Sequence, residues 1–533
     1  MSTGERTVGE YVVELLAANG IDTVFGIPGV HNLELYRGLD TTGVRHVLVR
    51  HEQGAAFAAD GYARATGRPA AAFVISGPGL TNALTGIAQA YSDSVPLLVI
   101  ASTPARDSLG KGGGVLHELP DQGAVAAGVV GLARTATRAQ DVTDHLRAAW
   151  AALQAPRPRP AYVGVPLDLL AEPTALRAER FATPCASLQP DAQAVARALE
   201  LLNAADRPLI IAGGGARHAG AALQQLVEAL DTYLVTTGAG KGVIAETHPA
   251  CLGASLPYPL TQQCVAAADV VLAVGTELSD SDVYEPPKLN VPGRLIRIDV
   301  DPVKLSDHYA AQLPLLGDAL LTLEALAAGV RPRKGWRSQS GPGAAHRARI
   351  HQASGATARA CDRAIRALRA GLPTDAVLFT DMTQIAYHGT FAFEVTSPAC
   401  WHAPVGYGAL GYALPAAIGA KIGAPERPIV ALAGDFGLQF TIAELMTAVE
   451  ARLSLPIVLW NNEALGQIRD DMGRAGIGPV GVIARNPDFL ALARACGAHA
   501  MRADAGSLVQ ALRAALAHSG PTLIECRSAD FAS

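Results

Sequence analysis

One stretch, IVALAGDFGLQFTIAELMTAVEARLSLPIVLWNN at 429–462, constrains the fold more than any other. An apolar run ends in Gly434-Asp435. A segment with apolar residues at helical spacing follows, and a second apolar run ends in Asn461-Asn462. The order is strand, turn, helix, strand, which is a parallel crossover. In a parallel sheet both strand ends lie on one edge, where ligands bind. Asp435 and Asn462, 462 − 435 = 27 residues apart, are therefore expected to meet. A carboxylate and a carboxamide oxygen are hard ligands, suited to Mg²⁺ held between protein and phosphate.

The same alternation recurs along the chain and predicts an α/β protein of three consecutive doubly wound parallel-sheet domains. The first spans 1–175, with strands such as TVFGIP, AAAFVIS and PLLVIAS. The second spans 190–330, with PLIIAGGG, VVLAVGT and RLIRIDVD. The third spans 365–533. CASLQPDAQ reads as the first linker, and the Pro-, Gly-, Ser- and Arg-rich AAGVRPRKGWRSQSGPGAAHRAR at 327–349 as the second.

With half its residues hydrophobic and a net charge of −5, the chain of 533 residues has ample core and no basic footprint for nucleic acid. No apolar run reaches the roughly 18 residues of a membrane span. The first residues are polar and lack the pattern of a signal peptide, and the seven cysteines are scattered; a cytoplasmic setting with reduced thiols is expected. Two glycine-rich stretches are decoys. AGGGARHAG places His218 where a dinucleotide fingerprint needs its third glycine, and GAGKGV has Gly242 rather than Ser or Thr after Lys241.

Glu52 follows the strand HVLVR and opens the apolar helix of HEQGAAFAADGYAR. Taken alone it is a helix-start carboxylate favoured by the helix dipole. Together with SGPGLTN at 76–82, GYGALGYALPAAIGA at 406–420 and the Gly434–Asn462 stretch, it resembles the thiamine diphosphate enzymes of the acetolactate synthase and 2-oxo-acid decarboxylase superfamily. The resemblance covers nearly the whole chain. FGIPGVHNLELYRGL, LHELPDQ, TDMTQIAY and WNNEALGQIRDDM further resemble the subgroup of 5-guanidino-2-oxopentanoate (2-ketoarginine) decarboxylases.

The resemblance implies pyrimidine-binding, central and diphosphate-binding domains, with thiamine diphosphate and Mg²⁺ as cofactors. It gives Glu52 the hydrogen bond to the aminopyrimidine ring that activates the cofactor. Gly408 would offer its carbonyl to the ring's amine, and Leu410 would wedge the cofactor into its bent shape. Asp435, the Asn462 side chain and the Ala464 carbonyl would hold Mg²⁺. Thr383 and Gln384, the Gly434-Asp435-Phe436-Gly437 turn, and Leu465, Gly466 and Gln467 would line the diphosphate. A homodimer or homotetramer is implied, with active sites between subunits. No FAD is expected in the central domain.

Three departures from the family pattern matter. Phe436 stands where a Gly or small residue usually follows Gly-Asp, so either the turn has negative φ or cofactor binding is altered. Val30 occupies a position that is polar in some decarboxylases, leaving its neighbour His31 for proton transfer. His117 stands where acetolactate synthases have a glutamine, so His117 and Gln122 are expected to face the reacting carbon. The implied reaction is decarboxylation of a 2-oxo acid with a basic side chain. Its alternative is a carboligase that couples the decarboxylated acid to a second carbonyl compound. A guanidinium in a closed pocket needs a carboxylate. Glu463, Asp470 and Asp471 after the metal ligands, and Glu118 and Asp121 from the first block, are the acids the sequence offers.

Overall fold

A computed structural model describes residues 6–182, 187–283 and 289–532. The start of the first linker, at 185–186, lies outside them. Three parallel sheets appear, and their inner strands are buried and rich in Val, Ile, Leu and Ala, as sheets covered on both faces require. The first sheet contains β1 (Thr23–Gly26), β2 (Arg45–Leu48), β3 (Ala70–Val74), β4 (Leu97–Thr103), β5 (Leu132–Thr135) and β6 (Ala161–Pro166). The second contains β7 (Pro208–Ala212), β8 (Tyr233–Thr236), β9 (Val270–Val274), β10 (Arg294–Asp299) and β11 (Leu313–Leu316). The third contains β12 (Val377–Thr380), β13 (Trp401–His402), β14 (Ile429–Gly434), β15 (Pro456–Asn461), β16 (His499–Arg502) and β17 (Thr522–Arg527).

The order is β2-β1-β3-β4-β6-β5 in the first sheet and β13-β12-β14-β15-β17-β16 in the third. Counted from each domain's own first strand, the two orders are identical. The central sheet, β8-β7-β9-β10-β11, repeats the same beginning. Every domain thus reverses strand order between its first and third strands, and that crevice is where a doubly wound sheet binds ligands. Among the described residues no helix is long and apolar enough to cross a membrane.

The first and third domains share one continuous apolar core. Its centre is the crossing of helix Glu52–Thr66 with helix Ala413–Gly423. Gly61 lies directly on the backbone of Ala416, and Gly419 on that of Ala58, so a Cβ at either glycine would collide with main chain. The central domain is joined to the third by Glu246, which a buried ion pair holds in place. Lys241 Nζ donates to both Glu246 carboxylate oxygens at 2.7 and 2.6 Å, and Val395 N donates to Glu246 Oε2 at 2.9 Å. Lys241 is thus a structural cation.

The second linker is structured rather than loose. It forms helices Trp336–Ser340 and Gly343–Gln352. Trp336 is buried edge-on against Tyr233, with ring centroids 5.5 Å apart. Asp231 anchors the segment by accepting from Gly335 N (2.8 Å), Ser338 N (3.1 Å) and Arg337 Nε (2.8 Å). One tryptophan and one buried aspartate supply enough contact to order this linker.

Candidate active site

The crevice of the third sheet opens between the ends of β12 and β14. Gly434 ends β14 beside Trp460 of β15, which brings Asp435 next to Asn461-Asn462. Asp435 is buried, and that burial raises its carboxyl above the usual range. Asn486 Nδ2 donates to Asp435 Oδ2 at 2.7 Å and to Asn461 Oδ1 at 3.0 Å, tying the two strand ends together. Asn461 is held on its other side by Glu525, which accepts from Nδ2 at 2.8 Å. Asn462 points the other way, its Nδ2 donating to Gln384 Oε1 at 3.3 Å and its Oδ1 accepting from Ala464 N at 3.3 Å. Glu463 takes a left-handed φ of 54°, which turns the chain so that Ala464 is buried while Glu463 is exposed. The donors expected from the sequence, Asp435, Asn462 and the Ala464 carbonyl, are hard oxygens of the kind that fits Mg²⁺.

Space for a diphosphate is kept by glycines. A Cβ on Gly434 would meet Thr383 Oγ1 at 2.8 Å, and one on Gly466 would meet Asn462 Nδ2 at 2.5 Å. Phe436 is the second residue of helix Asp435–Thr441 and is absent from the described residues with positive φ. The turn has negative φ, so the phenyl group costs no backbone strain. Gly408 has φ 75°, which a side chain would resist, and Leu410 beside it is half-buried.

Asp381, at the end of β12, is fully enclosed, and burial pushes its carboxyl up to about 7. It accepts from Met382 N at 2.9 Å and from Gly411 N at 3.0 Å, and it abuts Gly437. One buried acid thus fixes three loops of the crevice.

In the first domain Glu52 begins its helix with 9% exposure, and Asn82 Nδ2 donates to its Oε2 at 2.9 Å. The preceding backbone is held by Glu444, whose Oε1 accepts from Arg50 N and His51 N at 3.0 Å each. At the crevice between β1 and β3, His31 Nδ1 lies 2.5 Å from Ser76 Oγ, and its ring meets that of His117 edge-on at 5.0 Å. Burial and the neighbouring His117 hold the His31 imidazole below its ordinary pKa. His117 has φ 63° and a buried Nδ1 without a hydrogen-bond partner among the described residues.

Gln122 is buried and spends its amide internally, accepting from Gly77 N (2.9 Å) and donating to Ser102 O and Tyr162 Oη (both 2.9 Å). It braces the Ser76-Gly77 turn beneath the histidines. Val30 is 68% exposed. Glu118 accepts from Gly114 N at 2.8 Å, and Asp121 caps helix Gln122–Ala127 through Ala124 N at 2.9 Å. Asp470 accepts from Gln384 Nε2 at 2.7 Å and from Arg469 Nη2 at 3.1 Å. Asp471 accepts from Gln467 Nε2 at 3.1 Å and is ion-paired with Arg474. Leu465 donates its N–H to Val482 O at 2.9 Å.

Asn486, Asp381, Asn82 and Ser76 are absent from the sequence expectations. Asp381 carried a usable signal, an acid at a strand end like that in AGD. Asn486 carried none, because it reaches the site from a loop 51 residues beyond Asp435.

Three family models match the chain in order. They are the N-terminal TPP binding domain of thiamine pyrophosphate enzymes at 6–125, the central domain at 195–326 and the C-terminal TPP binding domain at 381–526. The chain is 49% identical to the probable 2-ketoarginine decarboxylase AruI of Pseudomonas aeruginosa, over 98% of this chain and 94% of that protein. It is 32% identical to the acetolactate synthase isozyme 3 large subunit of Escherichia coli, over 92% and 88% of the two chains. An X-ray structure from Mycobacterium smegmatis, assigned to the thiamin diphosphate-dependent enzymes, shares the fold with a TM-score of 0.84. It is 24% identical and covers 98% of this chain and 99% of its own. With its three α/β domains matched in order, the chain belongs to the thiamine pyrophosphate enzyme family.

Proposed function

We propose that the protein is a thiamine diphosphate- and Mg²⁺-dependent 2-oxo-acid decarboxylase acting on 5-guanidino-2-oxopentanoate, with 4-guanidinobutanal and CO₂ as products. The observation that carries this reading is the 49% identity, over 98% of the chain, to a protein named as a probable 2-ketoarginine decarboxylase. When bound, thiamine diphosphate supplies the electron sink that makes loss of CO₂ feasible.

The chain's own residues supply the rest. Asp435, Asn462 and the Ala464 carbonyl would hold Mg²⁺, and Asn486 aims the aspartate. Thr383, Gln384 and the glycines at 434, 437 and 466 leave room for the diphosphate. Gly408 and Leu410 receive the pyrimidine side. Glu52, kept in place by Asn82, would hold the proton that the pyrimidine ring needs. His31 and His117 stand at the carboxyl edge of the first sheet with Ser76 as a hydrogen-bond partner. An imidazole there would be placed to give a proton to the substrate. Supply of a proton at that point favours decarboxylation over coupling to a second carbonyl.

The active site is formed by two chains, with Glu52 from one and Asp435 from the other. Within one chain the Glu52 turn is bonded to Glu444, and among the described residues no hydrogen bond joins Glu52 to the β14–β15 edge. A homodimer, as the family resemblance implies, is the smallest active unit on this reading.

The test is incubation with thiamine diphosphate, Mg²⁺ and a panel of 2-oxo acids, with and without acceptor aldehydes, products being identified by mass. The expected result is 4-guanidinobutanal from 5-guanidino-2-oxopentanoate. An acyloin as main product, or preference for pyruvate, would favour the carboligase reading.

A further inference from the structure

A cavity of about 550 Å³ lies between the third domain and the central domain. Gln384, Gln467 and Asp470 line it from the diphosphate side, and Thr237, Ser281 and Asp282 line it from the carboxyl edge of the central sheet. The space thus starts at residues of the proposed cofactor site and runs away from them. A substrate whose charge sits several bonds from its reacting carbonyl would extend in this direction.

A guanidinium entering such a space needs a carboxylate that is not already neutralised. Of the acids suggested by sequence, Glu118, Asp121 and Glu463 do not line this cavity, and Asp470 and Asp471 are already ion-paired. Asp470 is held by Gln384 and Arg469, and Asp471 by Gln467 and Arg474. Glu118 and Asp121 are bound to main-chain N–H groups of their own loops. Asp282 differs. Its Oδ2 accepts from Ser279 N and Ser279 Oγ at 3.2 Å each, and among the described residues it makes no ion pair. Arg474 also lines the cavity, with its guanidinium paired to Asp471. Enclosure and the charge of nearby Asp93 push the Asp282 carboxyl up to about 6. An acid in those surroundings gains from an arriving cation.

We propose that Asp282 is the carboxylate that receives the distal guanidinium of the substrate, so that the central domain sets substrate choice. This rests on the decarboxylase reading above. It assigns the central domain a substrate contact, and it places that contact outside both cofactor-binding domains.

The experiment compares wild type, Asp282→Asn and Asp282→Glu on 5-guanidino-2-oxopentanoate and on uncharged 2-oxohexanoate. Asp282→Asn should lower kcat/KM for the guanidino acid by about 10- to 100-fold, mainly through KM, the range for a lost hydrogen bond to a charged group. The same variant should stay within about threefold of wild type on 2-oxohexanoate, and Asp282→Glu should recover part of the loss. Asp282→Ser serves under the same criteria if the Asn variant fails to fold, as judged by titration with thiamine diphosphate and Mg²⁺. Equal losses on both substrates, or no loss on either, would overturn the assignment while leaving the decarboxylase reading intact. A wild type that does not prefer the guanidino acid would instead overturn that reading's substrate, and the role of Asp282 with it.

Discussion

Single side chains decide whether the site works, and each can be tested separately. Glu52→Gln preserves the shape and the Asn82 contact but removes the only proton that position can exchange. Exchange of the cofactor's C2 proton, followed by NMR in deuterated water, should slow by about 100-fold or more, with the fold and most cofactor affinity intact. Asp435→Ala or Asn462→Ala should raise the Mg²⁺ concentration for half-maximal activity by at least about tenfold, and Asn486→Ala by a similar factor through loss of orientation. Unchanged Mg²⁺ titrations would remove these residues from the metal site. Phe436→Gly is instructive because the backbone there is ordinary helix. No strain is relieved, so the variant should lose roughly 0.5–1 kcal/mol of stability to chain entropy, with no tighter cofactor binding. Tighter binding would show that the phenyl group obstructs the site. That Asp435 and Asn461-Asn462 end neighbouring strands was legible because both lie inside one contiguous motif. Asn486 and Asp282 were not, because only long-range folding brings them to a crevice.

Elements carry a different lesson. Strands and their parallel order were readable, since an apolar run bounded by turns and alternating with helices leaves few other arrangements. The segment 327–349 links the second and third blocks as expected, but its composition does not register one tryptophan packing on one tyrosine. Its anchor, Asp231, has its carboxyl held down to about 2 by Gly335 N–H, Arg337 and Ser338, against the cost of burial. A carboxyl depressed in the folded state stabilises above its unfolded pKa, and the benefit is lost as pH falls through the folded one. Asp231→Asn should therefore cost about 1–2 kcal/mol at pH 7. The gap between variant and wild type should close as pH drops from 4 towards 2. Denaturant midpoints across that range measure it, and a gap independent of pH would assign the anchoring to geometry rather than charge.

Across the whole molecule, three sheets of related strand order are joined in two ways. The first and third share an apolar core at a crossing lined by small residues, which only close main-chain contact permits. The central domain is fastened to the third by the Glu246 bond to Val395, and the Lys241–Glu246 pair, 1% and 3% exposed, holds Glu246 in place. Removing one partner strands a buried charge. Lys241→Met should cost about 3–5 kcal/mol, and Lys241→Met with Glu246→Leu less than the single change, although the Val395 N–H loses its acceptor. The midpoint of the first unfolding transition is the readout. Additive costs in the double variant would mean that the pair does not act as a unit.

The sequence by itself determined the class of fold, the three-domain order and the thiamine diphosphate family. These depend on periodicity and on residues close together in the chain, where a turn or a helix start fixes geometry within a few bonds. The tertiary structure decided which acids are already neutralised, which loop aims Asp435, and which domain walls the cavity beside it. Those outcomes depend on distances between residues far apart in sequence and on how much water each carboxylate has lost, and neither can be read along a linear chain.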